Sequence, residues 1–277
     1  FCSDDARKLV DSLRAAHVSF MAEQRILCDR EATLVNVRKA FRELAAQIGP
    51  NDVFIFFHSG HGDQGDEDAA CTERDRREEA LVLYDEELSD DEMSRLLGSI
   101  RCRVTLLALD SCFSGGFRDA LTLTKQMGMF SSEEDLTSAI PDKFQAGGYL
   151  SHFIRAGLLG AADSNQDNRV TAGELFEYLY RQYAAEAAGV EASTMEGEQS
   201  YQHLVIDRGG VKVSDMLIAL GGVPASLKYR PGASARSAPG SYQAGRAAAP
   251  AATTAPAGTA AGQRPDGRTP DSPGGRK

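Results

Sequence analysis

The chain holds 277 residues, 42% hydrophobic and 25% charged, with no tryptophan; this suits one sizeable globular domain plus extra segments, and no apolar run approaches the roughly 18 residues of a membrane span. The formal charge of −10 is uneven: from residue 222 onward eight Lys or Arg face two Asp, which leaves sixteen net negative charges on residues 1–221. So acidic a body argues against nucleic acid as the main partner and favours cations or basic peptides, and without a spanning run no membrane partner is expected.

In chain order, Asp4 to Ala16 places Ala6, Leu9, Val10 and Leu13 on one helical face, and Glu31 to Ile48 repeats the pattern with Leu34, Val37, Phe41, Leu44 and Ile48. Between them 25–28 (RILC) reads as a short strand. Strands are also predicted at 52–58 (DVFIFFH), 80–84 (ALVLY), 104–110 (VTLLALD) and 203–207 (HLVID). Further helices are expected at about 89–99, 149–160 and 174–187. The two longest strands are apolar without alternation, as in a sheet covered on both faces. The fold class is therefore α/β, a three-layer sandwich around a mostly parallel sheet, with the ligand site beyond the carboxyl ends of its strands. Residues 118–148 read as a long, largely polar connection. From 231 onward the chain holds seven of its ten prolines and no aliphatic residue larger than Ala besides them, so 1–221 is expected to be the folded domain and 222–277 a disordered basic tail. Five cysteines, Cys2, Cys28, Cys71, Cys102 and Cys112, without a C-x-x-C pair fit reduced thiols and a cytoplasmic location.

Two strand ends carry chemistry. The 52–58 strand runs into His58, Ser59, Gly60, His61 and Gly62; the 104–110 strand runs into Asp110, Ser111 and Cys112, with Gly115 and Gly116 behind. Neighbouring parallel strands would bring an imidazole and a thiol to one rim, the arrangement that nucleophilic catalysis requires. The amides of Gly62 and Cys112 would then hold the developing oxyanion. A single strand-end cysteine is ordinarily a small buried hydrophobe, and a single loop histidine a surface group. Two glycine-flanked reactive side chains, each closing an apolar strand, are hard to assign to packing.

With FFHSGHG followed about fifty residues later by LDSCFSGG, the sequence resembles the caspase-like cysteine peptidases, in particular metacaspases and bacterial caspase-family proteins. The resemblance covers roughly 1–208. It implies a caspase-hemoglobinase-like fold, a His61–Cys112 dyad without an obligatory third member, and His58 as a neighbour rather than the base. It also implies a substrate pocket formed by Cys2, Asp5, Ser59 and Asp110, whose carboxylates favour Arg or Lys before the scissile bond. Asp5 is equally suited to the first turn of a helix. Family members usually start with an apolar strand before the first helix; only three residues precede that helix here, so the first strand is expected to be missing and to leave a gap or mispaired edge.

Calcium is the expected cofactor. The resemblance implies a site formed by Glu78, Asp90, Asp91 and Asp119, although Asp90 and Asp91 also fit the start of the next helix. By spacing, 163–174 (DSNQDNRVTAGE) follows an EF-hand-like loop, with Asp163, Asn165, Asp167, Thr171 and Glu174 at positions 1, 3, 5, 9 and 12 and the Arg169 carbonyl at 7. Asn168 stands where such loops place glycine. Arg118, Lys125 and Lys143 in the 118–148 connection match the expected specificity and point to self-processing. The competing expectation is a non-catalytic, calcium-stabilised scaffold that binds basic peptides.

Overall fold

The computed structural model describes residues 2–20, 25–65 and 77–221; Phe1, Cys71 and the predicted tail from 222 lie outside them. Helix α1 (Cys2–Ala15) follows the predicted apolar stripe, burying Leu9 and Leu13. Helix α2 (Leu34–Ala45) begins at Leu34 rather than Glu31, because a 3-10 turn over Asp29–Glu31 precedes it and Thr33 Oγ1 caps it by accepting the Asn36 N–H at 3.3 Å. Residues 25–28, predicted as a strand, form none: two apolar residues offer too short a run to pair, Cys28 Sγ donates to the Ser3 carbonyl at 3.4 Å, and Arg25 reaches Glu43 at 2.7 Å.

After α2 come β1 (Val53–Ser59), β2 (Gly62–Gln64), β3 (Glu79–Val82) and β4 (Glu87–Ser89), then α3 (Asp90–Ser99), β5 (Val104–Asp110) and β6 (Gln126–Phe130). Helix α4 (Tyr149–Ala156), β7 (Arg169–Thr171) and α5 (Ala172–Glu186) follow, and β8 (Glu191–Ser193), β9 (Gln199–Tyr201), β10 (Val205–Asp207) and β11 (Met216–Ala219) complete the described order. The central sheet runs β1-β5-β6-β10, parallel except for β10.

All seven residues of β5 are buried, since helices cover both of its faces. Val104, Leu106 and Ala108 pack with α1, α4 and α5 through Leu9, Leu13, Leu150, Phe153, Leu175 and Leu179. Leu107 and Leu109 point the other way, to Val37 and Phe41 of α2 and Met93 and Leu97 of α3. Each fully buried Leu contributes about 1.5–3 kcal/mol, so β5 is the strand the whole domain is built around. By contrast β1 is mostly half-buried. Among the described strands of this sheet it pairs with β5 alone, and an apolar groove of about 560 Å³ runs beside it, lined by Leu9, Val10, Leu13, Ile48, Val53 and Ile55.

The 118–148 connection, expected to be long and largely polar, is partly core. It contains β6, a buried inner strand, in which Gly128 makes room for the Phe130 ring and Leu121. The fold is a mixed α/β architecture around a mainly parallel sheet.

Candidate active site

The site grows from the register of two strands. Ser59 of β1 lies opposite Asp110 of β5, and the Gly60 N–H extends the ladder to the Asp110 carbonyl at 3.2 Å. His61 and Cys112 each follow that pair by two residues, so both emerge at the same rim. The approach is close: any side chain at Gly62 would strike the Cys112 carbonyl. His61 is exposed, and its carbonyl is held by the Val82 N–H of β3 at 3.0 Å. Directly after Cys112 the chain turns through Phe113 at φ 56°, a left-handed conformation uncommon for a bulky residue. The Phe113 N–H is used by the Leu136 carbonyl at 2.9 Å.

His58 lies next to this rim, its imidazole close enough to interact with the His61 backbone. Its imidazole is enclosed beneath Gly60, its Nε2 has no partner, and desolvation lowers its pKa to about 4. It is a neutral packed neighbour, whereas His61 meets solvent. Burial raises the Cys112 thiol, and two backbone N–H groups oppose that rise, the Cys112 N–H itself and that of Ser138, which donates to Sγ at 3.3 Å; the thiol in turn faces the Ser138 carbonyl at 4.0 Å.

Cys2, Asp5, Ser59 and Asp110 converge below the rim around Gly147 and Gly148. Asp5 Oδ2 accepts from Ser59 Oγ at 2.8 Å and from the Gly147 N–H at 2.7 Å, and a side chain at Gly147 would also press on Cys2 Sγ. A side chain at Gly148, just before α4, would strike the Asp110 carboxylate. Asp110 Oδ2 accepts the Ser151 N–H at 2.6 Å from the first turn of α4, while Oδ1 has no partner. Burial lifts this carboxyl to about 6, and the nearby Asp5 charge adds to the rise. Gly147, Gly148, Ser151 and Ser138 were not singled out from sequence; the only signal was a Gly-Gly pair ahead of an amphipathic helix.

Glu78, Asp91 and Asp119 all lie near enough to Asp90 to raise its carboxyl, after desolvation, to about 6. Asp90 is buried and its Oδ1 has no partner. In the 163–174 loop, Asp163 accepts from the Asp167 and Asn168 amides at 3.1 and 2.9 Å, Asn165 from Asp167 at 2.9 Å, and Asp167 from Arg169 at 2.9 Å. Asn168 takes φ 61°, the conformation glycine supplies at that point in such loops. Thr171 and Glu174 form a reciprocal capping box on α5, and Arg169 lies in β7, paired with β11. Among the described residues no three His, Cys, Asp or Glu side chains converge tightly enough to hold a metal ion as they stand.

A family model for the metacaspase, peptidase C14 domain matches residues 2–121, the span that holds both strand ends. Metacaspase-4 of Arabidopsis thaliana is 24% identical over 171 residues, 59% of this chain and 40% of that protein. Over these residues the chain is similar to the caspase-like cysteine peptidases. The chain spans about two fifths of that curated relative's length. A crystal structure of protein GSU0716 from Geobacter sulfurreducens is similar over 79% of this chain and 89% of its own, with a TM-score of 0.50 and 19% identity, and shows the shared fold. No helix among the described residues is long and apolar enough to cross a membrane.

Proposed function

We propose that this chain is a cysteine endopeptidase that cleaves after Arg or Lys with His61 and Cys112 as its dyad, on a caspase-hemoglobinase-like domain spanning 1–221. The observation that carries the reading is the register of β1 on β5, which puts both residues at one rim above Asp5 and Asp110. A basic side chain enters between those carboxylates, and its charge draws Asp110 into the ionised form. His61 takes the Cys112 proton, Sγ attacks the scissile carbonyl, and the Gly62 and Cys112 amides bind the oxyanion, each such donor being worth about 2.7–4 kcal/mol of barrier. His61 then returns the proton to the leaving amine, and water hydrolyses the thioester.

Two places would take calcium once their side chains drew together around it. The partnerless Asp90 Oδ1, with Glu78, Asp91 and Asp119 nearby, is a hard-oxygen set that a cation would relieve of mutual repulsion. In the 163–174 loop, Asp163, Asn165, Asp167, Glu174 and the Arg169 carbonyl would hold a second ion, with Thr171 at position 9. Bound there, calcium would brace α3 and α5 without touching the reacting atoms. For self-processing Lys143 is the better placed residue: it is exposed, whereas Lys125 leads into the buried strand β6; both are ion-paired, with Glu186 at 2.8 Å and Asp215 at 2.7 Å.

One observation favours the rival scaffold reading, because Gly147 and Gly148 lie against the carboxylates the substrate must reach. An arginyl chloromethyl ketone decides between them. The peptidase reading expects Cys112 to be alkylated faster than free cysteine, with or without added calcium; a rate no higher than that of free cysteine establishes the scaffold.

A further inference from the structure

The polypeptide that covers Cys112 has no regular secondary structure. Residues 136–139 nevertheless sit in one place, and their tethers are identifiable. Thr137 N–H donates to the Ser193 carbonyl and Thr137 Oγ1 accepts the Ser193 N–H, both at 3.0 Å. The Leu136 carbonyl accepts the Phe113 N–H at 2.9 Å, and a further fastening is Gln202, in the loop between β9 and β10 and only 3% exposed. Its Oε1 accepts the Ala139 N–H at 2.9 Å; its Nε2 donates to Ser138 Oγ at 3.0 Å and to the Ser131 carbonyl at 2.7 Å. Ser131 in turn binds the residue before the nucleophile, its Oγ accepting the Ser111 N–H and donating to the Ser111 carbonyl, each at 3.1 Å. One buried amide thus ties the bed beneath Cys112 to the segment above it.

Ordering a glutamine side chain costs rotamer entropy, and leaving it buried and unbonded would cost the desolvation of its amide as well. A glutamine with both N–H groups and its carbonyl in use therefore specifies a geometry that an apolar residue of the same length cannot. What that geometry fixes is the Ser138 N–H, aimed at Sγ.

We infer that Gln202 is a positioning residue for the nucleophile: it clamps Ser138 and Ala139 so that the Ser138 N–H faces Cys112 Sγ and stabilises the thiolate. This rests on Cys112 being the nucleophile. An N–H pointing at a thiolate favours the charged form. The charged group that acts on the sulfur is Asp110 of β5, with Asp5 of α1 beyond it; His58 ends β1 and His61 follows it, and Glu133 and Glu134, just before the covering segment, pair with His203 and Arg118. Exchanging the neutral Gln202 alters none of them.

The test is alkylation of Cys112 by iodoacetamide across a pH series, read by mass spectrometry, in the full chain. Gln202→Met, confirmed folded by circular dichroism, is expected to move the midpoint of the profile upward and to slow alkylation near neutral pH about threefold to tenfold, without lowering the rate reached at high pH. Ser138→Pro, which deletes the donor itself, reproduces the shift. An unmoved midpoint in either folded variant overturns the inference. If Gln202→Met does not fold, amide exchange in the unaltered chain decides: protected Ser138 and Ala139 amides support the clamp, and exchange as fast as in an unstructured peptide overturns it. Failure of the dyad reading gives a different result, read on an arginyl reporter peptide: either the parent chain hydrolyses none of it, or hydrolysis survives Cys112→Ala, whatever the alkylation profiles show.

Discussion

Asp110 is the residue on which specificity and stability pull in opposite directions. Its carboxyl is raised to about 6 from 3.8 by burial, so between those values the folded chain holds a proton that the unfolded chain has released. Stability from this group therefore falls as pH rises through that window, by an amount on the order of 2–3 kcal/mol. Asp110→Asn is expected to raise the urea midpoint at neutral pH, to lose that advantage as the pH falls below the ordinary carboxylate range, and to weaken selection for Arg. Urea titrations at both pH extremes check the sign, and a variant less stable than the parent at neutral pH contradicts it. The sequence made Asp110, His61 and Cys112 legible because reactive types closed apolar strands. Gln202 and Ser138 stayed invisible, since a polar residue in a loop has no pattern until the fold brings it to the sulfur.

At the scale of elements, β1 and β5 were readable because continuous apolar runs permit few other structures. The strand β6 was not: Gln126 and Gly128 are poor strand formers, and only burial on both faces and pairing with β5 and β10 make QMGMF a strand. Gly128→Ala is expected to cost about 1–3 kcal/mol, because the new methyl meets the Phe130 ring and Leu121 inside a packed core. Thermal unfolding measures it, and an unchanged midpoint would mean that the ring has somewhere else to go. The capping box of α5 gives a second test, as Thr171→Ala removes the acceptor for the Glu174 N–H at 3.3 Å and is expected to cost about 1 kcal/mol. Calcium at millimolar concentration should stabilise the parent chain more than a Glu174→Gln variant; equal thermal shifts would exclude the 163–174 loop as the source.

For the molecule as a whole, the sixteen net negative charges on residues 1–221 act before any contact is made. They attract basic peptides over a Debye length of about 10 Å at 0.1 M salt, so kcat/KM for an arginyl substrate is expected to fall as ionic strength rises while that of a neutral control does not. The same field leaves acidic peptides disfavoured twice, at the approach and at Asp5 and Asp110. The measurement that bears most directly on this account is hydrolysis of matched reporter peptides ending in Arg or Asp, by the chain and by its Cys112→Ala variant. The account predicts release from the Arg reporter far faster than from the Asp reporter, and none from either in the variant. Cleavage that persists without the Cys112 thiol, or that favours the Asp reporter, would contradict it.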